Sequence, residues 1–470
     1  MCRHTCASTR PRPPHPTVAR TVLRLVTTAA LVLMAVVSSV GSSGARAEEP
    51  GRSPQHAADS AAVKVVRFGG LWDGARLVKD ASVFVRGGRI IRVETGEVAI
   101  PDGARVFDLR KYTGLPGLID VHTHMTYCWD GVPGTTPWAE LDRMTSPEIV
   151  LSARENARRT LEAGVTTVRD LGAFDPAGCV NMDLVMRDLI NKGKITGPRM
   201  YVCGFGLIST YAPARPGYAS PRWGLADGVP EVIRVVREQV AAGADCIKMF
   251  ASTGTGDDVT GYQTFTSGEI EAAVEAAHGR GKHIAVHSYG PGAARDAVRA
   301  GADSIEHATG MDDETIKAMA RKGLFYVPTI DHNRYYAENL KLFGYTEEAA
   351  VRLKDFIRRN LETARQTHEA GVRIAMGSDA VFTMFGQNTR ELGWLVKAGM
   401  TPEEALETAT TNAAALLGAD KELGRVAQGF YADLVAVEGD PLADVNVVVN
   451  GVRWVMKGGE VVVDRTSAGR

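Results

Sequence analysis

Alternating apolar and polar residues mark two segments near the ends of the chain. The segments 63–94 and 431–464 alternate in this way and are broken by glycine-rich turns, a pattern typical of β-hairpins. Neither segment has enough strands to form a stable sheet alone. We therefore predict one small β-sandwich built from both chain ends, with its N-terminal part at 62–115 and its C-terminal part at 422–466.

The middle of the chain, residues 116–421, alternates short apolar runs with stretches of helical period. Eight runs have the length and β-branched content of buried strands. They are GLIDVHTH (117–124), VTTVRDLG (165–172), RMYVCGFGL (199–207), DCIKMFA (245–251), HIAVHSY (283–289), DSIEHAT (303–309), LFYVPTI (324–330) and VRIAMGSD (372–379). Helical stretches such as 147–164 and 267–281 separate them. Eight such units predict an α/β fold, a (β/α)8 TIM barrel.

An open doubly wound parallel sheet is the alternative fold for this alternation of strands and helices. The first strand is not followed by the Gly-x-Gly-x-x-Gly turn with which many such sheets bind dinucleotides. We therefore favour the barrel.

The first 47 residues differ in composition from the rest of the chain. They contain six arginines and no acidic residue, and an apolar run at 25–41 precedes Ala-Arg-Ala at 45–47. A basic start, an apolar centre and an A-x-A ending predict a secretory signal peptide cleaved after Ala47. The run is shorter than the roughly 20 residues of a membrane-spanning helix, which disfavours a stable membrane anchor. Residues 48–61 then predict a flexible linker, and we expect a secreted, extracellular protein.

The charge of the chain disfavours nucleic acid as a partner. The chain has 54 basic and 55 acidic residues, and removing the six arginines of the signal peptide leaves 48 basic residues against 55 acidic ones, a net charge of −7. An acidic protein without a basic stripe lacks the electrostatic footprint of a nucleic-acid-binding surface. The expected partner is instead a small-molecule or dipeptide substrate, and assembly into a homo-oligomer is left open.

Four of the six cysteines follow the signal peptide, which is too few for a disulfide scaffold. Cys128 and Cys179 fall in the loops after strands one and two, where a disulfide would stiffen the barrel mouth; whether they pair is left open. Cys203 and Cys246 are predicted to be buried thiols in strands three and four.

Residues that bind metals recur near the C-terminal ends of the predicted strands, where the active sites of barrel enzymes lie. His122 and His124 end strand one and, two positions apart, face the same side. Strands four, five, six and eight contribute Lys248, His287, His307 and Asp379. A single strand histidine is more often a hydrogen-bonded core residue, but the chain has eleven histidines and four of them fall here. Imidazole and carboxylate suit zinc and its neighbours, so we predict a metal site.

The motifs GLIDVHTH, CIKMF, AVHSYG, DSIEHATG and GSDA together resemble the metal-ligand signature of the amidohydrolase superfamily. The resemblance extends over the whole mature chain, including the segments 398–418 and 429–445. It is closest to the metallo-dipeptidase branch with prolidase-like and Xaa-Arg-type enzymes. Imidazolonepropionase-like amidohydrolases and bacterial hydrolases of ochratoxin A belong to related branches. The resemblance implies a hydrolase that acts on carbon–nitrogen bonds.

In two-metal members of this superfamily, the lysine of strand four reacts with carbon dioxide to form a carbamate that bridges the metals. The resemblance implies the same for Lys248, as N6-carboxylysine. This modification would explain a lysine in an apolar strand, because a cationic side chain is rarely buried without a partner. The implied first metal ligands are His122, His124 and Asp379, and those of the second are His287 and His307, with zinc as the expected metal.

The implied reaction uses a water whose pKa two divalent ions lower until it is hydroxide near neutrality. Hydroxide would attack the substrate carbonyl, and Asp379 would accept the proton and deliver it to the departing nitrogen. Tyr289, two positions beyond His287, is a candidate donor to the oxyanion, with a packing role at the rim as the equal alternative.

Four further residues are candidates for substrate binding. Tyr211 and Arg215 lie in the loop 208–224, where relatives commonly carry a Gly-Gly-His-like run that this chain lacks, so the resemblance leaves its specificity open. His332 and Arg334 follow strand seven and would meet an anionic end of the substrate. An ordinary exposed loop is the alternative that we favour there.

These observations predict a secreted binuclear metal-dependent amidohydrolase that cleaves an amide bond in a dipeptide or N-acyl amino acid. One alternative is a cyclic-amide hydrolase similar to imidazolonepropionase, which usually works with one metal. Another is a non-catalytic barrel protein similar to collapsin response mediator proteins, which have lost ligands that this chain keeps.

Overall fold

The computed structural model describes residues 62–175, 180–211 and 224–466. The predicted signal peptide, the linker up to residue 61, Cys179 and Arg215 therefore lie outside the described residues. Within the described part, no helix is both long enough and apolar enough to cross a membrane.

The strands and helices of the described residues are numbered in chain order. The strands are β1 (Lys64–Trp72), β2 (Leu77–Arg86), β3 (Arg89–Thr95), β4 (Arg105–Pro116), β5 (Leu118–Thr123), β6 (Val165–Asp170), β7 (Arg199–Val202), β8 (Cys246–Phe250), β9 (His283–His287), β10 (Ser304–Glu306), β11 (Phe325–Val327), β12 (Arg373–Ile374), β13 (Leu434–Val437), β14 (Val452–Lys457) and β15 (Glu460–Asp464). The α-helices are α1 (Pro137–Leu141), α2 (Ser146–Glu162), α3 (Met182–Asn191), α4 (Val229–Ala242), α5 (Ser267–His278), α6 (Pro291–Ala300), α7 (Asp313–Lys322), α8 (Ile330–Glu338), α9 (Leu340–Phe343), α10 (Glu347–Glu369), α11 (Glu391–Lys397), α12 (Pro402–Thr408), α13 (Thr411–Leu416) and α14 (Asn446–Asn450).

Strands from both chain ends share one seven-stranded sheet, in the order β15-β14-β13-β4-β1-β2-β3. β4 joins the two halves, because it pairs in parallel with β1 and antiparallel with β13. The core of this sheet includes Phe68, Leu434 and Trp454, which are fully buried. The two chain ends therefore build one small β unit together, as the alternating pattern predicted, with its strands in a single sheet.

Parallel strands form the barrel in two arcs, β5-β6-β7 and β8-β9-β10-β11-β12. Leu207, beyond β7, pairs with Met249 of β8, and Thr123 of β5 pairs with Ala380, beyond β12. These two parallel bridges connect the arcs at both sides. The eight strands therefore close, which confirms the predicted (β/α)8 barrel.

The barrel helices follow the sequence signals for helix ends. Thr266 and Glu269 form a capping box at the start of α5, in which each side chain accepts the other residue's backbone N–H. Gly301 ends α6 in the left-handed conformation at φ 85°, which glycine adopts without steric cost. The apolar face of α5, including Ile270 and Val274, is buried. This buried face of the helix covers the outside of the barrel strands.

Each predicted barrel strand contains an observed strand that is shorter. The predicted run 372–379 contains only the two-residue β12, and 303–309 contains the three-residue β10. One residue of each run has left-handed backbone, Asp379 at φ 52° and His307 at φ 71°. The regular hydrogen bonding of the strand therefore ends before these residues, where the backbone leaves the extended conformation. Elsewhere in the barrel, Cys203 and Cys246 are buried thiols, as predicted.

Candidate metal centre

The first and last barrel strands meet at their C-terminal ends and bring three candidate ligands together. The backbone N–H of Asp379 donates to the carbonyl of His122 at 2.7 Å, and that of His124 donates to Ala380 at 3.1 Å. Gly377 permits this approach, because a Cβ at that position would lie 2.7 Å from the Cβ of His122. Backbone hydrogen bonds between distant parts of the sequence thus build one half of the site.

The side chains of His122, His124 and Asp379 converge in this half. Asp379 Oδ1 lies 3.2 Å from His124 Nε2 and 3.6 Å from His122 Nε2. One ligand atom from each residue lies within 4.8 Å of the other two, and all three residues are buried. Burial raises the pKa of Asp379, but the imidazoles of His332 and His122 outweigh it and hold the pKa well below its ordinary value.

Lys248 reaches the same point from β8. Its Nζ lies 3.2 Å from His122 Nε2, and the residue is 1% exposed. Burial lowers the pKa of the amine. Within the described part of the chain, no ion pair joins this amine to a carboxylate. The charges of Glu306 and Asp379 raise the pKa of the amine from a longer distance, so Lys248 has acids nearby but is not paired with one.

His287 and His307 complete the cluster from β9 and from the end of β10. Their ring centroids are 4.6 Å apart, and the ring of His307 lies 5.0 Å from that of His122. His307 Nδ1 lies 3.9 Å from Asp379 Oδ2. Burial lowers the pKa of both imidazoles well below the ordinary value, so both are neutral, the form in which histidine binds metals. All six sequence-predicted metal ligands are thus brought together.

Left-handed backbone recurs at these strand ends. Besides His307 and Asp379, Thr329 has a positive φ, of 52°. Such a conformation costs roughly 1–2 kcal/mol for a residue with a Cβ and is unusual for a β-branched one. The hydroxyl of Thr329 lies 2.5 Å from Nδ1 of His307, so the strained turn supports a ligand. Strain of this kind concentrates at functional sites.

Tyr289 forms a rigid wall beside His287. Its ring stacks on His287 at 5.0 Å and on Phe356 at 4.4 Å, and its hydroxyl donates a long hydrogen bond of 3.5 Å to Asn333 Oδ1. Gly254 lies against the ring with a φ of 125°, and a Cβ there would lie 2.3 Å from it. Tyr289 is therefore fully packed, with only its hydroxyl weakly bonded.

His332 faces the cluster from a helix, whereas the sequence favoured an exposed loop at this point. Its Nδ1 lies 2.8 Å from the carbonyl oxygen of Asp379, and its Nε2 lies 3.4 Å from Oδ2. The helix, α8, begins directly after strand seven because the buried carboxylate of Glu391 accepts the N–H groups of Ile330 and Asp331, each at 2.9 Å. This distant helix cap has no local signal, which is why the loop prediction was wrong.

Two of the other candidate substrate residues, Arg334 and Tyr211, are described, and no hydrogen bond or ion pair joins either of them to the cluster. Arg334, two positions after His332, pairs with Asp331 at 2.7 Å and also with Glu338. Tyr211 is 72% exposed at the edge of a segment outside the described residues. Arg215 lies within that segment. For Tyr211 and Arg215 a substrate contact therefore stays a prediction.

Two buried charges at the site were missed by sequence reasoning. Glu306 Oε2 lies 2.7 Å from His122 Nδ1, and its Oε1 accepts from Arg169 at 2.9 Å. Burial raises the pKa of Glu306, but Arg169 and His122 outweigh it and hold the pKa at about 2. A signal was available: Arg169 and Glu306 are opposite charges within the apolar runs VTTVRD and SIEH. A charged residue in an apolar run is also what singled out Lys248.

Buried carboxylates also hold the backbone beside the ligands. Asp120 accepts from Ser378 N–H at 2.9 Å and from Asn388 at 2.9 Å, and burial raises its pKa to about 6. Asp170 accepts from the hydroxyl of Thr123 at 2.9 Å. Asp120 connects β5 to the residues after β12, and Asp170 connects β6 to β5. Both acids therefore support the positions from which the candidate ligands project.

The sequence of residues 113–462 matches the amidohydrolase family. This range covers most of the chain, so the protein belongs to the amidohydrolase family. It is accordingly a hydrolase that acts on carbon–nitrogen bonds of small molecules. The family is generally metal-dependent, in agreement with a buried cluster of histidine and aspartate ligands.

Known relatives cover 74% to 86% of this chain. Ochratoxinase from Aspergillus niger is 32% identical over 384 residues, covering 74% of this chain and 75% of the relative. The crystal structure of a Xaa-Pro dipeptidase with methionine bound in its active site matches with a TM-score of 0.76 and 31% identity, over 85% of this chain and 99% of that one. A prolidase complexed with N-methylphosphonate-L-proline matches with a TM-score of 0.76 and 28% identity, over 86% of this chain and 100% of that one.

Proposed function

We propose that the protein is a metal-dependent hydrolase that cleaves the amide bond of a dipeptide or an N-acyl amino acid. One observation carries this proposal: side chains of metal-ligand type from five strands converge on one buried cluster. They are His122, His124, Lys248, His287, His307 and Asp379. The cluster lies at the carboxyl end of the barrel, where enzymes of this fold bind substrates.

The donor set fits divalent metal ions such as zinc. Neutral imidazole and ionised carboxylate are ligands that such ions take in proteins. One ion would be held by His122, His124 and Asp379, and the other by His287 and His307, with Lys248 between them. Two such ions would supply an activated water and a Lewis acid for the substrate carbonyl.

Lys248 is proposed to carry a carbamate. The lone pair of Nζ forms a bond to the carbon of carbon dioxide, and Nζ releases one proton, which leaves a carbamate anion. Burial lowers the pKa of Lys248 and so favours the neutral amine that this reaction needs. The product is an anion among metal ligands, which resolves the difficulty of a buried cationic amine.

Asp379 is proposed to move the proton. Its carboxylate is ionised in the resting site, since its pKa lies well below the ordinary value despite burial. The carboxylate would accept a proton from the attacking water and pass it to the departing nitrogen. His332, 3.4 Å from Oδ2, would orient this carboxylate.

Tyr289 is proposed to stabilise the developing oxyanion. Its hydroxyl has a weak partner in Asn333, so it can turn towards a substrate oxygen. A rigid donor costs no reorganisation during the reaction and contributes on the order of 10²–10³ in rate in other enzymes. Packing by His287 and Phe356 supplies that rigidity.

The substrate class rests on the solved relatives. One is a Xaa-Pro dipeptidase with methionine in its active site, and another is a prolidase with a phosphonate derivative of L-proline. Both ligands are amino acids or amino-acid derivatives. The proposed substrate for this chain is therefore an amino acid linked through its nitrogen to an acyl group.

The proposal is tested by screening a dipeptide and N-acyl amino acid library with the zinc-loaded protein that begins at Glu48. Amide cleavage with two zinc ions per chain is expected. A sample incubated with ¹³C-labelled bicarbonate should give a carbamate carbon signal in ¹³C NMR that is lost in Lys248→Ala.

Two outcomes would contradict the proposal. No hydrolysis of any amide by the fully zinc-loaded chain would overturn the activity. Hydrolysis of cyclic amides alone, with a single tightly bound ion, would replace it with an activity similar to that of imidazolonepropionase.

We also propose that the protein is exported. The support is the sequence of residues 1–47, with its basic start, apolar run and A-x-A ending. N-terminal sequencing of protein from the culture medium should begin at Glu48. An intact N-terminus on protein that stays in the cell would contradict export.

A further inference from the structure

A buried ion pair lies directly beneath His122. The carboxylate of Glu306 accepts from Nη2 of Arg169 at 2.9 Å and also from the hydroxyl of Ser304. The Nε of Arg169 donates to the carbonyl of Val121 at 2.6 Å. Arg169 is 2% exposed and Glu306 is fully buried. Since arginine stays charged in proteins, its partner at this distance is an ionised carboxylate.

An ionised carboxylate fixes the tautomer of His122. It can only accept hydrogen bonds, so Nδ1 of His122, 2.7 Å from Oε2, must carry the proton. The lone pair of the ring then lies on Nε2. That nitrogen faces the cluster, 3.2 Å from Lys248 Nζ and 3.6 Å from Asp379 Oδ1.

His122 differs in this respect from its neighbour His124. The Nδ1 of His124 lies 3.3 Å from the neutral carbonyl oxygen of Gly172, a longer contact with an uncharged partner. An anionic acceptor raises the basicity of a ligating imidazole more than a neutral one does. The two histidines of one motif are therefore unequal as ligands.

We propose that Glu306, held in place by Arg169, is a positioning residue that presents His122 Nε2 to a metal and strengthens its binding. The inference rests on the proposed function only in taking His122 as a ligand. Arg169 balances the charge that Glu306 brings into the barrel, so the interaction with the imidazole does not leave an unpaired buried charge.

The test compares metal affinity with stability in four variants. Affinity for zinc is measured by competition with a chromophoric chelator, and folding by circular dichroism and the thermal midpoint of the metal-free protein. Glu306→Ala should weaken the tighter zinc site about 10- to 100-fold. Glu306→Gln keeps an acceptor oxygen without the charge, so its affinity should fall between those of Glu306→Ala and the wild type.

The paired variants separate positioning from packing. Arg169→Met leaves Glu306 buried without its cation and should lower the thermal midpoint. Glu306→Met/Arg169→Met replaces the pair by apolar side chains, which is often neutral for stability. The double variant should recover the thermal midpoint but keep the weakened zinc affinity of Glu306→Ala. Cobalt substitution gives a second reading, because the visible spectrum of the bound ion should change in the three variants that lack the carboxylate.

Two results would overturn the inference, and a third would support it independently of the proposed reaction. If Glu306→Ala and the double variant bind zinc as the wild type does, the pair serves only the barrel core. A wild-type chain that binds neither zinc nor cobalt would overturn this inference together with the metal dependence. Zinc binding that depends on Glu306 in a protein that hydrolyses no amide would support this inference and contradict only the proposed reaction.

Discussion

Two lysines at opposite ends of the barrel have lowered pKa values, but their surroundings differ. Lys248 lies at the carboxyl end within the ligand cluster, and Lys457 lies at the end of β14, where the sheet meets the amino end of the barrel. Burial is the main cause at both positions, and it lowers the pKa of Lys457 to about 8. Burial alone therefore does not distinguish them.

The partners of the charges do distinguish them. Beside Lys457, Asp433 accepts from Arg199 at 2.6 Å and from the N–H of Gly458 at 2.6 Å. The ring of Tyr431 lies 3.6 Å from the guanidinium of Arg89 and 3.9 Å from that of Arg199. At this junction Asp433 and the two guanidiniums meet an opposite charge or an aromatic face, and the charge of Asp433 also raises the pKa of Lys457. Lys248 lies 3.2 Å from an imidazole nitrogen and 5.1 Å from the ring centroid of Phe250, in a cluster that a bound metal and a modified amine would complete.

The strongest test of this contrast replaces each lysine by methionine. Lys248→Met should lower kcat/KM by about 10³-fold or more and remove one zinc equivalent, because a two-metal site supplies several kcal/mol of transition-state stabilisation. Lys457→Met should leave kcat/KM within about twofold. Steady-state kinetics and metal analysis of both variants check this. If both variants lose kcat/KM equally, the contrast between a functional lysine at the carboxyl end and a structural one at the junction is wrong.

Removing the hydroxyl of Tyr289 tests whether weakly bonded donors at the carboxyl end act on the substrate. Tyr289→Phe should lower kcat by about 10²-fold without changing the zinc content, because one oxyanion donor is lost. Tyr335→Phe is the matched control, since its hydroxyl is already bonded to Thr383 at 2.8 Å. If both variants keep full kcat, Tyr289 has only a packing role.

Arg199→Met tests the other side of the contrast, the paired charges at the junction. It leaves Asp433 buried without its cation, which should reduce the free energy of unfolding by about 3 kcal/mol. The kcat/KM of the folded variant should not change, because the junction lies at the far end of the barrel. Chemical denaturation and kinetics on one preparation measure both. A stable variant with lower kcat/KM would contradict the separation of the two ends.

The smallest expected effect is a pH dependence of stability from Lys457. Its pKa is about 8 when folded and about 10.4 in an unfolded chain, so between these values the unfolded state binds the extra proton. The free energy of unfolding therefore rises with pH between about 8 and about 10.4. Below pH 8 this gain is absent, because both states carry the proton. The difference in free energy of unfolding between wild type and Lys457→Met should rise by about 2 kcal/mol over this window. Denaturation in EDTA at both limits measures it, and a constant difference would contradict the shift.

The sequence was sufficient for the barrel, the shared sheet and the residues of the buried cluster. Strand runs with histidine, lysine or aspartate at their ends carry a local signal, because barrel geometry collects such ends at one rim. Lys248 was conspicuous since its neighbours are apolar. Those inferences needed only periodicity and the position of each residue within its own strand.

The missed parts depend on contacts between distant segments. The helix cap of α8 comes from Glu391, which leaves no mark in the sequence beside α8. The partner of His122 is Glu306 of β10, a charge in an apolar run whose local sequence does not show which residue it pairs with. The same holds for Asn333, whose amide becomes relevant only beside Tyr289. Side-chain networks of this kind can be identified only once the relative positions of the strands in the fold are known.

The closure between β5 and the residues after β12 has a consequence for biosynthesis. His122 and His124 leave the ribosome long before Asp379, and at roughly 5–20 residues per second the wait lasts some tens of seconds. A nascent chain therefore offers a cation only part of its coordination sphere. A metal ion held by all three side chains could therefore be bound only after Asp379 has left the ribosome.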